Sequence, residues 1–550
     1  MALVVAGVLR HPAASQSDSH FGRMVLALGA LLLLHITWRL RLLDPGLGLN
    51  LRTSSSGIRK VAARCLLTAW VAAAVFAVAN YYQFSGRATG TVTDYGDATY
   101  YYLNSKYFEE LGYTQLYRAM LVADSEGPGD LADVSRFRDL VDYEHMLPRQ
   151  RALRDADAVK EAFSSARWEA FKADLAAITR RQNHGWSYFF SDHGYNPPPP
   201  WTLVGGTLAQ WIPVAHMKLL TSIDTILVAA VMLGIARVVS PAAMCMALTF
   251  FCCTFSGRWP MVGQAVLRFD WLCALVGAAL MLRRRRHAWA GALLTYATCV
   301  RIFPGIFALP YVVVAIRDIL RAGRLPPIHR RFAVGAGVMA LLLVGGSLYR
   351  YGPDAYVQSA MNLKLHASPD SFSSHRVGLG DALLYRGEWS DRDLRANGGM
   401  RAKRDRLWEL NSGLKALGVA VIALLVVFVA RSRQPPDKLL WLGVYPLFVL
   451  TNPQINYYNL RLLLVLLHLE HWDQYRHRAG LFLLFLIEVV TQGAQVAGAA
   501  RYAVTASTSF GIAVYLTFQA GFLMLDLARP RMREGVPKGG QARCADVKST

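Results

Sequence analysis

Long apolar stretches separated by short basic segments dominate the chain. A membrane-spanning helix needs about 20 mostly apolar residues, and thirteen stretches approach that requirement. We therefore predict an all-α polytopic integral membrane protein with about thirteen transmembrane helices. The predicted crossings lie near 22–40, 62–83, 219–238, 240–256, 266–283, 288–300, 303–320, 332–350, 412–431, 438–452, 457–470, 479–497 and 508–527.

Composition narrows the class of protein further. Of the 550 residues, 17% are charged and 54% are apolar, whereas about 25% of residues are charged in a typical soluble domain. The net charge of +22 (59 basic minus 37 acidic residues) would suit a nucleic-acid-binding protein. Nucleic-acid sites, however, gather basic residues on one face, and here they form short runs between apolar stretches, such as Arg283 to Arg286. We expect no nucleic-acid partner.

The basic runs predict the orientation, because short cytoplasmic loops of membrane proteins are rich in lysine and arginine. Placing six basic loops in the cytoplasm puts the two long polar segments, 84–200 and 351–411, on the outer side. The first apolar stretch is followed by Arg39 and Arg41 and shows no cleavage motif, so we expect a retained helix with the N-terminus on the outer side. The basic residues of these loops are Arg52, Arg59, Lys60 and Arg64; Arg283 to Arg286; Arg317, Arg321, Arg324, Arg330 and Arg331; Arg431, Arg433 and Lys438; Arg476 and Arg478; Arg529, Arg531 and Arg533.

The same pattern divides the chain into six regions. One apolar stretch, 201–217, is too short for a full crossing and follows four prolines, so we interpret it as short or re-entrant. Such a segment must bury its free backbone groups against protein. The regions are 1–83, N-terminal helices; 84–200, external loop; 201–350, central bundle; 351–411, second external loop; 412–527, C-terminal helices; and 528–550, a basic cytoplasmic tail.

The first long loop has helical order of its own. Apolar residues such as Trp168, Phe171, Leu175 and Ile178 recur at helical spacing through 155–181, with charged residues between them. A helix that lies in the membrane interface has this pattern. A helix that packs on the rest of its own loop has it too, and both interpretations stand.

Two signals within apolar helices have structural explanations. The glycines from Gly335 to Gly337 resemble part of a nucleotide-binding fingerprint, but no strand precedes them. Close packing between helices is the better interpretation. Glu488 lies inside another apolar helix, where a carboxylate either serves a proton path or bonds to a neighbouring helix.

Two carboxylates, Asp94 and Asp97, follow the second predicted crossing among aromatic residues. A carboxylate walled by aromatic rings at a membrane surface can act as a general base on a hydroxyl group. The alternative is that either aspartate caps the helix that follows. Tyr101 and Tyr102, nearby in the sequence, offer aromatic faces suited to sugar rings and lipid headgroups.

At this point the chain resembles the GT-C superfamily of glycosyltransferases that use polyprenyl-phosphate sugars, in particular the mannosyltransferase-like branch called family 87. The resemblance spans roughly residues 60 to 470. The residues that carry it are Asp97, Tyr101 or Tyr102, Gly112 and Tyr117; Tyr195-Asn196-Pro197-Pro198; Gly263-Gln264; Arg301-Ile302-Phe303-Pro304; and Asn452-Pro453.

The resemblance implies a GT-C-like bundle with a large first external loop that carries interfacial helices. It implies that Asp97 is the catalytic base, with Asp94 as a second candidate. Arg301 stands where the family commonly has lysine and is expected to bind the carrier phosphate. The remaining residues that the resemblance places in substrate binding are Tyr101, Tyr102, Tyr117, Tyr195 and Gln264.

Two further groups of polar residues are candidates from their chemistry alone. Asp192 and His193 place an acid and an imidazole beside the four prolines. His375 and Arg376 offer hydrogen-bond donors for hydroxyls or a phosphate in the second long loop. A divalent metal held by Asp192 and Asp97 is conceivable, but we predict no metal site and no required cofactor.

These observations predict a glycosyltransferase that moves a sugar from a polyprenyl-phosphate donor to a hydroxyl group by inverting displacement. The expected partners are that donor, membrane lipids, and a glycolipid, glycan or protein acceptor. We expect a multi-pass protein of the inner (plasma) membrane with an extracytoplasmic active site. The rival interpretations are a lipid-linked sugar transporter or flippase, and a catalytically inactive polytopic protein.

Overall fold

The structure is a computed structural model that describes residues 16–39, 57–84, 95–181, 185–259, 262–432, 434–469, 471 and 474–528. It is 78% helical. Its described part includes one sheet of two antiparallel strands, Arg136–Arg138 and Met146–Pro148, in which Phe137 pairs with Leu147. The candidate Asp94 and the side chain of Gln264 lie outside the described part.

Helices follow one another along the whole described chain. Those before residue 240 are Gln16–Arg39, Gly57–Tyr81, Tyr95–Ala98, Phe108–Leu111, Leu116–Ser125, Arg149–Arg154, Ala156–Glu161, Ser165–Thr179, Trp186–Phe189, Pro199–Trp211 and Met217–Val238. Those after it are Pro241–Cys253, Asp270–Arg283, His287–Arg301, Leu309–Ala322, Pro327–Ala340, Gly346–Tyr351, Asp354–Ala367, Leu379–Leu384, Asp391–Ala396, Gly399–Arg431, Val444–Leu450, Arg461–Leu469, Tyr475–Val496 and Arg501–Ala528.

Tighter and wider turns join some of these helices. The π-helical turns are Thr99–Asn104 and Leu341–Gly345. The 3-10 turns are Val214–His216, Val262–Gln264, Phe303–Ala308, Pro369–Ser371, Pro436–Lys438, Leu440–Gly443 and Ile455–Leu460.

Within the described ranges, eight helical segments are long and apolar enough to cross a membrane. The prediction of an all-α polytopic membrane protein is therefore confirmed. The eight segments are Asp18–Arg39, Val61–Tyr81, Val214–Val238, Phe303–Ala322, Pro327–Tyr351, Gly399–Arg431, Tyr475–Val496 and Arg501–Leu527.

Several other predicted crossings correspond to shorter helices. The stretch 266–283 forms the 14-residue helix Asp270–Arg283, and 288–300 forms the 15-residue helix His287–Arg301. At about 1.5 Å per residue such helices span roughly two thirds of a hydrocarbon core about 30 Å thick. Most residues of Asp270–Arg283 are buried in protein, which explains why that stretch is apolar. The total of thirteen crossings stays a prediction.

The stretch interpreted as short or re-entrant forms the 13-residue helix Pro199–Trp211. Proline at its first turn suits a helix start, because those backbone amides have no helical acceptor. One face is buried in protein, and a β-carbon at Gly206 would lie 2.6 Å from the carbonyl oxygen of Ser105. The helix therefore packs directly against the first long loop. This agrees with the expectation that a short or re-entrant segment is buried against protein.

The two long polar loops meet. Asn362 donates a hydrogen bond to the carbonyl oxygen of Tyr195 at 2.7 Å. Arg350, which directly precedes the second loop, donates to Glu109 in the first at 2.7 Å. We call this end of the bundle, formed by 95–181, 185–198 and 351–398, the loop face.

Several basic loops also contact other segments predicted to share their side. Arg283 forms an ion pair with Asp437 at 3.2 Å. Arg317 donates to the carbonyl oxygen of Ser432, and Lys438 contacts His471. These contacts group loops that the charge pattern assigns to a single membrane side.

The amphipathic stretch of the first loop forms the helix Ser165–Thr179. The side chain of Ser164 caps it by accepting a hydrogen bond from the backbone amide of Arg167. Its apolar residues, including Phe171 and Ile178, are fully buried, and the Trp168 indole donates to Glu126 at 2.9 Å. The apolar face therefore packs against protein, which favours the second of the two interpretations above.

Candidate functional site

Asp97 lies beside a π-helical turn at the start of the loop face. One carboxylate oxygen accepts a hydrogen bond from Nε of Arg268 at 2.8 Å, and the other accepts from Nη2. This bidentate geometry matches the planar fork of a guanidinium group. Since π-helical turns cluster at functional sites, the turn Thr99–Asn104 adds to the interest of this position.

Tyr101 lies between two arginines. Its hydroxyl accepts a hydrogen bond from Nη1 of Arg268 at 2.7 Å, and the Arg268 guanidinium lies 4.3 Å from its ring centre. Arg301 lies 5.5 Å from the same ring and 5.4 Å from the ring of Trp201. Burial raises the pKa of Tyr101 to about 12 despite both positive charges, so the phenol stays neutral. We call Asp97, Tyr101, Trp201, Arg268 and Arg301 the Asp97 site.

Arg301 is buried, with 8% of its surface exposed. Its guanidinium donates to the carbonyl oxygens of Val300 and Leu267, each at 3.2 Å. Its Nε is buried without a hydrogen-bond partner in the structure. Because an unsatisfied buried donor costs free energy, this nitrogen is a natural point of attachment for an anionic ligand.

The backbone is strained beside both arginines. Leu267, which precedes Arg268, has φ +50°, and Ile302, which follows Arg301, has φ +57°. Non-glycine residues in this region cost about 1–3 kcal/mol each and cluster at functional sites. The chain therefore adopts unfavourable conformations where it presents these two side chains.

A buried carboxylate holds the strained segment in place. Asp224 accepts hydrogen bonds from the backbone amides of Arg268 at 2.6 Å and Phe269 at 3.1 Å. Asp270 accepts from the hydroxyl of Tyr296 at 3.1 Å. Sequence reasoning missed Arg268 and Asp224, although ionisable residues inside apolar stretches were a usable signal.

A second group forms around Asp192. The hydroxyl of Tyr100 donates to Asp192 at 3.2 Å and lies 2.7 Å from the hydroxyl of Tyr117. The ring of His193 lies 5.7 Å from that of His366, which belongs to the other long loop. We call Asp192, His193, Tyr100, Tyr117 and His366 the Asp192 group. Tyr100 connects the predicted residues Asp192 and Tyr117, and His366 contacts the predicted residue His193. Sequence analysis singled out neither Tyr100 nor His366.

The charges of this group are linked. Burial raises the pKa of Asp192, but His193 and then His366 lower it more, so the carboxylate ionises below its ordinary range. Burial, with the nearby His193 and Arg376, lowers the pKa of His366 to about 4. At neutral pH the group therefore offers an ionised carboxylate beside a neutral imidazole.

Arg376 contacts the Asn452-Pro453 motif, and His375 contacts the residues that follow it. Arg376 donates to the carbonyl oxygen of Asn452 at 3.1 Å, and the backbone carbonyl of His375 accepts from Ile455 at 2.8 Å. Burial and the charges of Arg501 and Arg258 lower the pKa of His375 to about 4. The motif therefore has a structural partner in the second long loop.

Tyr457 connects these groups. It lies in the 3-10 turn Ile455–Leu460, and the backbone amide of Ile455 donates to the carbonyl oxygen of His375 in the second long loop at 2.8 Å. The Tyr457 ring packs against Phe303, two residues after Arg301, with centroids 5.1 Å apart. The Asp97 site and the second long loop therefore border the same aromatic side chain.

Tyr102 and Tyr195, two residues predicted to bind substrate, make their contacts outside the Asp97 site. The hydroxyl of Tyr102 donates to the carbonyl oxygen of Ile212 at 3.0 Å. The hydroxyl of Tyr195 lies 2.8 Å from that of Thr202, and its ring packs among Phe108 and Tyr113. Both tyrosines are fully buried and stabilise the contact between the first long loop and the helix Pro199–Trp211.

Comparison with known protein families, curated proteins and solved structures finds no match for this chain. In the part of the chain that the structure describes, no three histidine, cysteine, aspartate or glutamate side chains form a group that could hold a metal ion.

Proposed function

We propose that this protein is a membrane glycosyltransferase that moves a sugar from a polyprenyl-phosphate donor to a hydroxyl acceptor. The observation that carries the proposal is the Asp97 site: one carboxylate and two arginines surround Tyr101 on the loop face of a membrane bundle. Such a site combines a proton acceptor with a binding place for a lipid-linked phosphate. It requires no nucleotide-binding motif.

The donor phosphate binds between Arg268 and Arg301 in this proposal. Both guanidinium groups lie within 5.5 Å of the Tyr101 ring, and forked arginine side chains suit the oxygens of a phosphodiester. Their positions are fixed in advance by the backbone at Leu267 and Ile302. Prepositioned charges stabilise the negative charge that develops on the leaving phosphate.

Donor binding also activates Asp97. In the ligand-free protein both carboxylate oxygens accept hydrogen bonds from Arg268, so they are not free to receive the acceptor proton. A bound phosphate competes for Arg268 and releases Asp97. The acceptor oxygen then attacks the anomeric carbon, its proton passes to Asp97, and the bond to the phosphate oxygen breaks with its electron pair. A single displacement of this kind inverts the anomeric centre.

The Asp192 group is placed to bind hydroxyls of the sugar or acceptor. Asp192 accepts hydrogen bonds, and the neutral imidazole of His366 both accepts and donates. Tyr100 stacks on Phe189 with centroids 4.6 Å apart, which adds aromatic surface. We place this chemistry on the extracytoplasmic side of the plasma membrane, with a glycolipid, glycan or protein as acceptor.

The test is transfer by the purified full-length chain in lipid nanodiscs. A panel of synthetic polyprenyl-phosphate sugars is supplied with membrane glycolipid extract as acceptor, and products are identified by mass spectrometry. We expect one donor to be consumed with inversion, and the reaction to be lost in Asp97→Asn. If the donor crosses a sealed vesicle bilayer without being consumed, the result supports the flippase alternative instead. If the donor is neither consumed nor moved across the bilayer, the result supports a catalytically inactive protein.

A further inference from the structure

A second basic cluster surrounds Phe255, away from the Asp97 site. Arg258 lies 4.2 Å and Arg501 5.4 Å from its ring centre, while the ring of His20 stacks on it at 5.4 Å. Arg23 donates to the carbonyl oxygen of Trp259 at 3.0 Å. We call His20, Arg23, Arg258, Arg501 and Phe255 the Phe255 cluster.

Two of its arginines have donors to spare. Arg23 is fully buried, yet its Nε and Nη1 have no hydrogen-bond partner in the structure. Nη1 of Arg501 is buried and equally unpartnered. Leaving charged donors unsatisfied is costly, so these nitrogens mark a place built for an acceptor.

The neighbouring carboxylate is already engaged. Glu488 lies 2.6 Å from Arg461 and accepts a hydrogen bond from the backbone amide of Phe255 at 2.8 Å. Burial and the positive charges of Arg501 and Arg23 lower the pKa of Arg258 to about 9. Arg23 and Arg501 both act on Arg258 as like charges, and an anion bound to the unpartnered donors of Arg23 and Arg501 would relieve this repulsion.

The Phe255 cluster extends from the buried core toward the second long loop. Arg501 and His375 are only half-buried, whereas Arg23 and Arg258 lie deeper. The hydroxyl of Thr505, one turn after Arg501, donates to the carbonyl oxygen of Ser374 at 3.1 Å. The second long loop thus packs beside Arg501, and the fully buried Arg23 and Arg258 lie further inside.

We propose that the Phe255 cluster binds a phosphate group, either a soluble phosphate or the headgroup of an anionic lipid. Unpartnered guanidinium donors of two neighbouring arginines suit a tetrahedral oxyanion, which offers several acceptor oxygens. This inference does not depend on the proposed transfer reaction. It concerns arginines separate from Arg268 and Arg301.

Binding to the full-length protein in neutral detergent tests the proposal with two probes. Inorganic phosphate is titrated by calorimetry, and dioleoyl phosphatidic acid is counted by native mass spectrometry. We expect at least one probe to bind and Arg501→Gln to weaken it by roughly tenfold or more, since a charged hydrogen bond contributes at least that factor. The probe that responds identifies the source of the phosphate.

Arg181→Gln is the matched control, because Arg181 is an exposed arginine of the first loop and its loss should leave binding unchanged. If Arg501→Gln does not fold, Arg501→Lys tests the same position, because lysine keeps the charge but loses the fork, and it should weaken binding of the same probe. Absence of binding by both probes, or equal binding by wild type and a folded cluster variant, would overturn the proposal.

Discussion

Arg301 donates a hydrogen bond from Nη2 to the carbonyl oxygen of Leu267, 3.2 Å away, and Leu267 is the strained residue that precedes Arg268. The two arginines of the Asp97 site are therefore coupled through the backbone. Arg301 helps to hold the peptide that presents Arg268 to Asp97 and Tyr101. A change at Arg301 should accordingly alter both phosphate contacts.

Replacing Arg301 separates charge from geometry. Arg301→Lys keeps the positive charge but loses the fork that reaches Leu267, so we expect partial activity with a higher donor KM. Arg301→Gln loses the charge as well, and we expect both a higher donor KM and a lower kcat. Steady-state kinetics with a synthetic polyprenyl-phosphate sugar measure both constants. Arg181→Gln serves as the exposed control, and unchanged constants in Arg301→Gln would contradict a role in donor binding.

Asp97→Asn should reduce kcat by roughly 10²–10⁴-fold, the usual loss when a general base is removed. It should also lower the donor KM, because Arg268 no longer neutralises Asp97 and is free for phosphate. If Asp97 had only a structural role, Asp97→Asn would lower the stability of the protein without tightening donor binding. The exposed Asp142→Asn is the control.

Arg268→Gln distinguishes the two partners of the ion pair. It frees Asp97 as a base but removes a phosphate ligand, so the donor KM should rise, opposite in direction to Asp97→Asn. Steady-state kinetics of Arg268→Gln and Asp97→Asn check this prediction, with measured melting temperatures showing that both variants are equally stable. The same direction of change in both would refute the exchange of Arg268 between Asp97 and phosphate.

Acid should destabilise the loop face. The pKa of His366 is about 4 in the folded protein, against about 6.5 in an unfolded chain. The folded state thus binds this proton less readily, so its stability is retained above pH 6.5 and falls as the pH drops from 6.5 toward 4. The charged or titratable groups that act on His366 are His193, Arg376 and Asp192.

His366→Gln should flatten this dependence. The melting temperature of wild type minus that of His366→Gln, measured from pH 7 to pH 4, should therefore fall as the pH falls. The exposed His145, whose pKa is raised by Asp142, supplies the control His145→Gln, for which this difference should not fall. Parallel curves for wild type and His366→Gln would show that the imidazole is not held neutral by the fold.

The sequence predicts some of these features far better than others. Hydropathy predicts the long apolar helices because each is decided by its own 20 or so residues. Asp97 and Arg301 are recognisable as charged residues beside apolar segments. The ion pair between Asp97 and Arg268 is not recognisable in the sequence, because the two residues lie 171 positions apart and only tertiary packing brings them together.

The short helices show a second limit of the sequence. An apolar run such as 266–283 has the same composition whether lipid or protein surrounds it, and here much of it is enclosed by protein. Hydropathy alone therefore overestimates how far such a segment extends through the bilayer. The contact between Arg376 and Asn452 likewise depends on loop geometry that no local pattern encodes.

The last prediction concerns the packing that positions Arg301. A β-carbon at Gly335 would lie 1.9 Å from the carbonyl oxygen of Ala288, and one at Gly291 would lie 2.1 Å from that of Phe332. These glycines let helices Pro327–Ala340 and His287–Arg301 approach closely, as small residues do in membranes. This agrees with the packing interpretation of the glycines around Gly335.

Gly335→Ala and Gly337→Ala should therefore have opposite effects. Alanine normally favours a helix over glycine by about 0.5–1 kcal/mol, and Gly337 has no atom within 4 Å of its β-carbon position, so Gly337→Ala should raise the melting temperature slightly. Gly335→Ala must push the two backbones apart, and overpacking of this kind costs about 1–3 kcal/mol. Since Arg301 ends the displaced helix, Gly335→Ala should also raise the donor KM, whereas Gly337→Ala should not. Equal melting temperatures and equal donor KM values in the two variants would contradict the close glycine contact and its role in placing Arg301.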